Sequence, residues 1–175
     1  DGVLVDGNIV GSTDTENSIH TANQDTSDVN EQSLKGIAVS SSGNLTVSNN
    51  TVSNLTNSAV QRGNVTGIDA THAVNTIDNN FIAHLSCQAT NSYSIKGISI
   101  QNVPEGQTIS GNVIHDLSNT FSSTSGEITT AGIYFSDYTG NAHTIARNRI
   151  YDLSFSNANG RSLGIWINSG SGVEV

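Results

Sequence analysis

The phrase NTIDNNFIAHL, beginning at Asn75, returns as QTISGNVIHDL from Gln107 and as HTIARNRIYDL from His143, keeping its apolar letters while nearly every polar one changes. Aligning Asn8, Asn50, Asn80, Asn112 and Asn148 extends it to five copies, spaced 42, 30, 32 and 36 residues apart. A second phrase, Gly-Ile-x-apolar, falls between them at Gly36, Gly67, Gly97, Gly132 and Gly164. Self-similarity at a period of about 20–50 residues marks a solenoid, propeller or array, in which one unit cannot bury its own apolar face and neighbours must stack. The five copies span the chain, so residues 1–175 form a single domain.

The period inside each copy selects among repeat architectures. Ile98-Ser99-Ile100 and Ile165-Trp166-Ile167 alternate apolar and other residues, as on a strand with one buried face. No copy sustains an i, i+3, i+4, i+7 pattern for the roughly 10–12 residues of a helix. A propeller blade needs four strands in about 40–45 residues, whereas each unit here offers two or three strands. The expectation is an all-β fold, a parallel β-solenoid of about five coils, with vertical columns of equivalent side chains. Val5, Val47, Ile77, Ile109 and Ile145 make one column; Val10, Val52, Ile82, Ile114 and Ile150 a second; Ile37, Ile68, Ile98, Ile133 and Ile165 a third. Leu55, Leu85, Leu117 and Leu153 make a fourth, from which the first coil departs with Thr13. The repeated Asn is expected to form a hydrogen-bonded ladder from coil to coil. The Gly before each Ile is expected to allow a sharp turn into the strand.

Composition narrows the partners. Six basic against fifteen acidic residues give a net charge of −9, which disfavours binding nucleic acid or anionic membranes through charge. No apolar run approaches the roughly 18 residues of a membrane span, so no membrane insertion is expected. Cys87 is the only cysteine and has no intramolecular disulfide partner. The chain starts without Met inside a coil and stops in the strand-like GVEV, as a fragment or mature subunit would. An extracellular or cell-surface setting is the expectation.

The repeated TIxxNxIxxL…GIxI pattern resembles the right-handed parallel β-helix repeats of the pectate-lyase-like superfamily. The resemblance covers nearly all of the chain, and the Ser/Thr/Asn-rich loops are closest in style to repeat tracts of secreted bacterial cell-surface proteins. It implies a right-handed parallel β-helix but no particular activity, because that fold carries lyases, hydrolases, tailspikes and adhesins. The NTD, DD, HG and RIK elements of the polygalacturonases are absent: NTI at Asn75 lacks the acid and RNRI at Arg147 lacks the lysine.

Three groups of residues are candidates for function. Asp116 and Asp152 precede equivalent leucines one coil apart, with His84 in the next rung. They are the best catalytic constellation available, set against the alternative that Asp at a turn bonds nearby backbone N–H groups. On the outward column of the Gly-Ile phrase, Tyr134 and Trp166 follow Asp69, with Asp137 and Tyr138 adjoining, an arrangement suited to a sugar ring and its edge, set against the alternative that the two aromatics cover the stack beneath a loop or meet a neighbouring chain. The excursion from Ser12 to Lys35, read as one long loop, carries Asp14, Glu16, Asp25, Asp28 and Glu31 and offers calcium its oxygens, but no D-x-[DN]-x-[DN]-G loop is present and a solvated loop is the better reading. His20, His72, His115, His143 and Cys87 are too scattered for a transition-metal site. Two functions stand open: a structural β-solenoid that associates end to end, Val173–Val175 continuing onto Val3–Val5 of another copy, and a β-helix that binds or degrades glycans.

Overall fold

The computed structural model describes residues 2–26, 31–89, 94–103, 106–120, 128–137, 142–156, 160–169 and 172–175. Seventeen strands lie in these segments: β1 (Gly2–Asp6), β2 (Ile9–Val10), β3 (Ile19–Thr21), β4 (Glu31–Ser40), β5 (Asn44–Ser48), β6 (Thr51–Asn57), β7 (Arg62–Thr71), β8 (Val74–Asp78) and β9 (Phe81–Cys87) in the first half. The second half holds β10 (Ser94–Gln101), β11 (Thr108–Ser110), β12 (Val113–Asn119), β13 (Ile128–Ser136), β14 (His143–Ala146), β15 (Arg149–Phe155), β16 (Gly160–Ser169) and β17 (Val173–Glu174). They form three parallel sheets, here called first, second and third in the order the chain visits them. The first runs β1-β5-β8-β11-β14-β17, the second β2-β6-β9-β12-β15 and the third β4-β7-β10-β13-β16. The result is an all-β parallel solenoid of about four full turns.

The columns explain why a sequence with only 34% hydrophobic residues folds. Val47 pairs with Ile77 and Ile109 with Ile145, Ile82 sits between Val52 and Ile114, and Ile98 between Ile68 and Ile133. Members in the middle coils are fully buried, while the end members Val5, Val10, Ile150, Leu153 and Ile165 are only partly covered. Each fully buried aliphatic side chain stabilises by about 1.5–3 kcal/mol, and every one depends on the coil above and below it. The leucine column does not lose its first member. Ile19 of β3 pairs with Leu55, because residues 11–18 are inserted between β2 and β3 and the chain then rejoins the same sheet. Thr13 lies within that insertion. The Ser12–Lys35 excursion is correspondingly not all loop, since β3 and the first five residues of β4 belong to it.

The asparagine ladder is present and completely wired in the middle. Asn50 Nδ2 donates to Asn80 Oδ1 at 3.0 Å, Asn80 Nδ2 to Asn112 Oδ1 at 3.0 Å, and Asn112 Nδ2 to Asn148 Oδ1 at 2.9 Å. The same oxygens also accept the backbone N–H of the preceding Asn, and each Nδ2 reaches back to a carbonyl one coil earlier, as from Asn80 to Val47 at 2.9 Å. The residue before each ladder Asn has positive φ, at Gly7, Asn49, Asn79, Gly111 and Arg147. The corner therefore turns through one left-handed residue per coil.

The Gly-Ile glycines have a different physical reason from the expected one. None of the five has positive φ. Four of them, Gly36, Gly67, Gly97 and Gly132, have no room for a side chain. A Cβ on Gly97 would lie 2.6 Å from the Gly132 carbonyl oxygen and 2.5 Å from an Ile114 methyl, and Gly36, Gly67 and Gly132 are enclosed in the same way.

Candidate functional site

In the second sheet β6, β9, β12 and β15 each carry a left-handed residue, one position before the leucine column: Asn54 (φ 58), His84 (φ 54), Asp116 (φ 53) and Asp152 (φ 52). Non-glycine residues rarely adopt this conformation, and Asn, Asp and His tolerate it best. The identities at these positions thus follow from the backbone. The kinks, together with the insertion of the first coil, border an open groove of about 910 Å³. Asp14 and Glu16 stand at one end, and His84, Asp116 and Asp152 follow along the stack. Ser86 pairs with Ser118, and Ser118 with Ser154, in a hydroxyl column beside them.

The structure brings His84, Asp116 and Asp152 together on this one face. Asp116 Oδ2 accepts from His115 Nδ1 at 2.7 Å and lies 3.4 Å from His84 Nδ1. The expected bond from this aspartate to nearby backbone N–H groups is not what holds it, since its partners are imidazoles and β12 continues through it. A carboxylate pair one rung apart, about 4.8 Å, approaches the spacing of about 5–5.5 Å used in retaining glycoside hydrolysis. Asp116 is nonetheless 41% exposed and tied to two histidines, and Asp152 is exposed. The groove can hydrogen-bond a hydroxylated ligand more readily than it can enclose and polarise a scissile bond.

Sequence reasoning missed the aromatic side of this face. His115 stacks on Tyr151 with centroids 4.6 Å apart and planes 8° apart, Phe81 meets the His115 edge at 5.2 Å, and Arg149 lies 4.8 Å over Tyr151. The signal was available, because His115 and Tyr151 hold the same place in VIHDL and RIYDL and pair directly between β12 and β15.

The Tyr134/Trp166 face differs from a flat platform. The two rings do lie on consecutive rungs, but they meet edge to face at 4.9 Å and 71°. Tyr134 is buried, and Lys96 Nζ sits 4.0 Å over its ring. Asp69 accepts from Lys35 Nζ at 2.6 Å. Asp137 does not join them, because it is buried in a corner where its Oδ2 accepts from His143 Nε2 at 2.8 Å. Tyr138 lies outside the described residues. Of the acidic excursion, Asp14 and Glu16 border the groove, Glu31 sits in β4 and accepts from Asn64, and Asp28 lies outside the described residues. Among the described residues no three His, Cys, Asp or Glu side chains gather as a metal site, and no helix is long and apolar enough to cross a membrane.

Lys96 supplies a pH test of this outer face. Burial holds its ammonium below the usual lysine value; the Asp69 and Glu31 carboxylates oppose that shift and Lys35 adds to it. As pH falls from the alkaline side, the unfolded chain gains this proton first, so stability is highest above the unfolded value of about 10.4 and declines until the folded value is passed. Lys96→Met is expected to flatten the alkaline rise in a urea-midpoint profile, and Asp69→Asn to move the Nζ titration followed by NMR further down. An unchanged profile in Lys96→Met would remove this account.

Compared with known protein families, curated proteins and solved structures, the chain matches none of them.

Proposed function

We propose that the chain is an extracellular structural solenoid, a segment of a cell-surface stalk, adhesin or fibre that associates end to end. The likeness of its repeat to the right-handed β-helices of secreted bacterial proteins supports this reading. The observation that carries it is the unbroken ladder from Asn8 to Asn148 beside four aliphatic columns, which repeats the same core and the same Asn-to-Asn bond from coil to coil. Negatively stained electron micrographs of concentrated chain are expected to show coaxial fibres.

The groove on the second sheet favours a second reading, a glycan-binding or glycan-degrading solenoid. Hydroxyl, carboxylate and imidazole groups line it, His115 of the stack with Tyr151 bonds its Asp116, and a polysaccharide is a repeating polar ligand that fits a repeating polar surface. Glycan-array binding that is lost in both Asp116→Asn and Asp152→Asn at unchanged melting temperature would favour this function. Trp166→Ala tests the third sheet in the same assay. Fibres without retained glycan support the structural reading, and single particles with retained glycan reverse it.

A further inference from the structure

We propose that the groove on the second sheet takes an uncharged linear oligosaccharide lying along the stack, and that residues 11–18 fill the rung at which its end stops. This rests on the glycan-binding reading above and gives it a ligand class. The inserted segment shows what the groove accepts. On β6 the two groove positions are Asn54 and Thr56, and both are buried and bonded to the insertion. Asn54 Nδ2 donates to Ser12 O at 2.7 Å, Ser18 Oγ donates to Asn54 O at 3.3 Å, and Thr56 Oγ1 donates to Asn17 Oδ1. A hydroxyl, an amide oxygen and a backbone carbonyl thus occupy that rung. Register carries the same two positions forward. Thr56 pairs with Ser86 and Ser86 with Ser118, while His84 and Asp116 stand where Asn54 does, one place before the paired leucines. β9 lies between β6 and β12, and β12 between β9 and β15, so both rungs have a neighbour on each side. There the groove is open. The side chains of His84 and Asp116 are 47% and 41% exposed, and among the described residues the Ser86 and Ser118 hydroxyls reach no hydrogen-bond partner.

A surface that the chain satisfies with oxygens on one rung, and leaves wet on the next two, suits a ligand carrying hydroxyls at the same repeat. A linear glycan is such a ligand, since each pyranose is about as long as the rung spacing of about 4.8 Å. The open rungs offer it both donors and acceptors. The serine hydroxyls serve as either, and Asp116 Oδ1 accepts, because the two imidazoles contact Oδ2. Phe81 adds an apolar wall: it is 37% exposed, its ring meets His115, and His115 meets His84. Charge selects within the class. Asp14, Glu16, Asp116 and Asp152 border the groove, and no Lys or Arg is among its described lining residues, so a uronate chain would set carboxylates against carboxylates. An extended peptide is the weaker fit, because it brings a backbone N–H at every residue and the groove meets it with side chains alone.

Isothermal titration of the 175-residue chain with uncharged gluco-, manno- and xylo-oligosaccharides of increasing length, and with oligogalacturonates, tests the site. Affinity for at least one uncharged series is expected to rise with length and level off once the open rungs are filled. Oligogalacturonates of equal length are expected to bind about tenfold or more weakly. Ser86→Ala and Ser118→Ala are each expected to lower affinity about two- to tenfold at unchanged melting temperature. Asn17→Gly keeps the left-handed backbone there (φ 53) while removing the bond to Thr56, and is expected to move the plateau to a longer oligomer. A plateau unmoved by Asn17→Gly overturns the part given to the insertion. Binding that ignores both serines, or that favours oligogalacturonates, overturns the site and its ligand class but leaves the glycan reading standing, with Trp166→Ala to locate it. Binding of a peptide spanning residues 11–18, and of no sugar, makes the occupant a polypeptide and overturns both. No binding by any probe does the same.

Discussion

Ile98→Asp is expected to cost upwards of about 4 kcal/mol and to take the neighbouring coils with it. Ile98 is fully buried on β10, directly between Ile68 and Ile133 and within the hydrophobic core. An introduced carboxylate there is both unpaired and wedged between two columns' worth of methyl groups, so the damage extends to both adjoining rungs. Ile98→Val, which removes only one methylene, is expected to cost about 1 kcal/mol. On the opposite face, Asp69→Ser breaks only the ion pair to Lys35, whose side chain is 41% exposed, and such pairs contribute about 0–1 kcal/mol. Urea unfolding of the three variants separates these cases. Similar losses in Ile98→Asp and Asp69→Ser would refute the assignment of inward and outward positions.

The inward columns were legible in the sequence because alternation and a coil-length repeat act on the same residues. Ile98 and Ile165 announce themselves twice, once by period two within the strand and once by recurrence. The ladder asparagines were legible for the same reason. Ile19 was not, because the insertion of residues 11–18 shifts it out of step while the backbone still returns it to Leu55. The Gly-Ile glycines were found, but their cause was hidden: a close approach of one coil's carbonyl to the next depends on the distance between coils, which no single repeat encodes.

The candidate site shows the same division. Adjacency of Asp116 and Asp152 could be read from their common place before leucine, and that place brings His84 into the same groove. What could not be read was the left-handed backbone at all three, which selects Asp, His and Asn for conformational reasons before any chemistry is asked of them. Tyr134 and Trp166 were likewise correctly placed on neighbouring rungs. Their availability was not visible, since the ring of Tyr134 is covered by Lys96, whose long side chain crosses from the adjacent rung.

Asn80→Asp is expected to cost about 3–5 kcal/mol at neutral pH even though it changes one atom of the side chain. Asn80 is buried, and its Oδ1 accepts from Asn50 while its Nδ2 donates to Val47 O at 2.9 Å and to Asn112 Oδ1 at 3.0 Å. The substitution keeps the acceptor and turns the donor into a second acceptor facing two oxygens. Asn8→Asp makes the same exchange on an exposed rung at the start of the ladder, where water replaces what is lost, and is expected to cost about 1 kcal/mol or less. The effect at Asn80 has a pH signature. Burial and the facing oxygens favour the protonated carboxyl, which can donate one bond again, so its folded pKa lies above the unfolded value of about 3.9. The folded state then holds the proton longer as pH rises, and the variant loses stability relative to the parent from about pH 4 upward until the folded value is passed, remaining level above it. Urea midpoints of parent and variant between about pH 3 and pH 8 measure this difference directly. A pH-independent difference, or an equal cost at Asn8, would mean that the ladder is a passive consequence of the corner and not one of the forces that hold the coils in register.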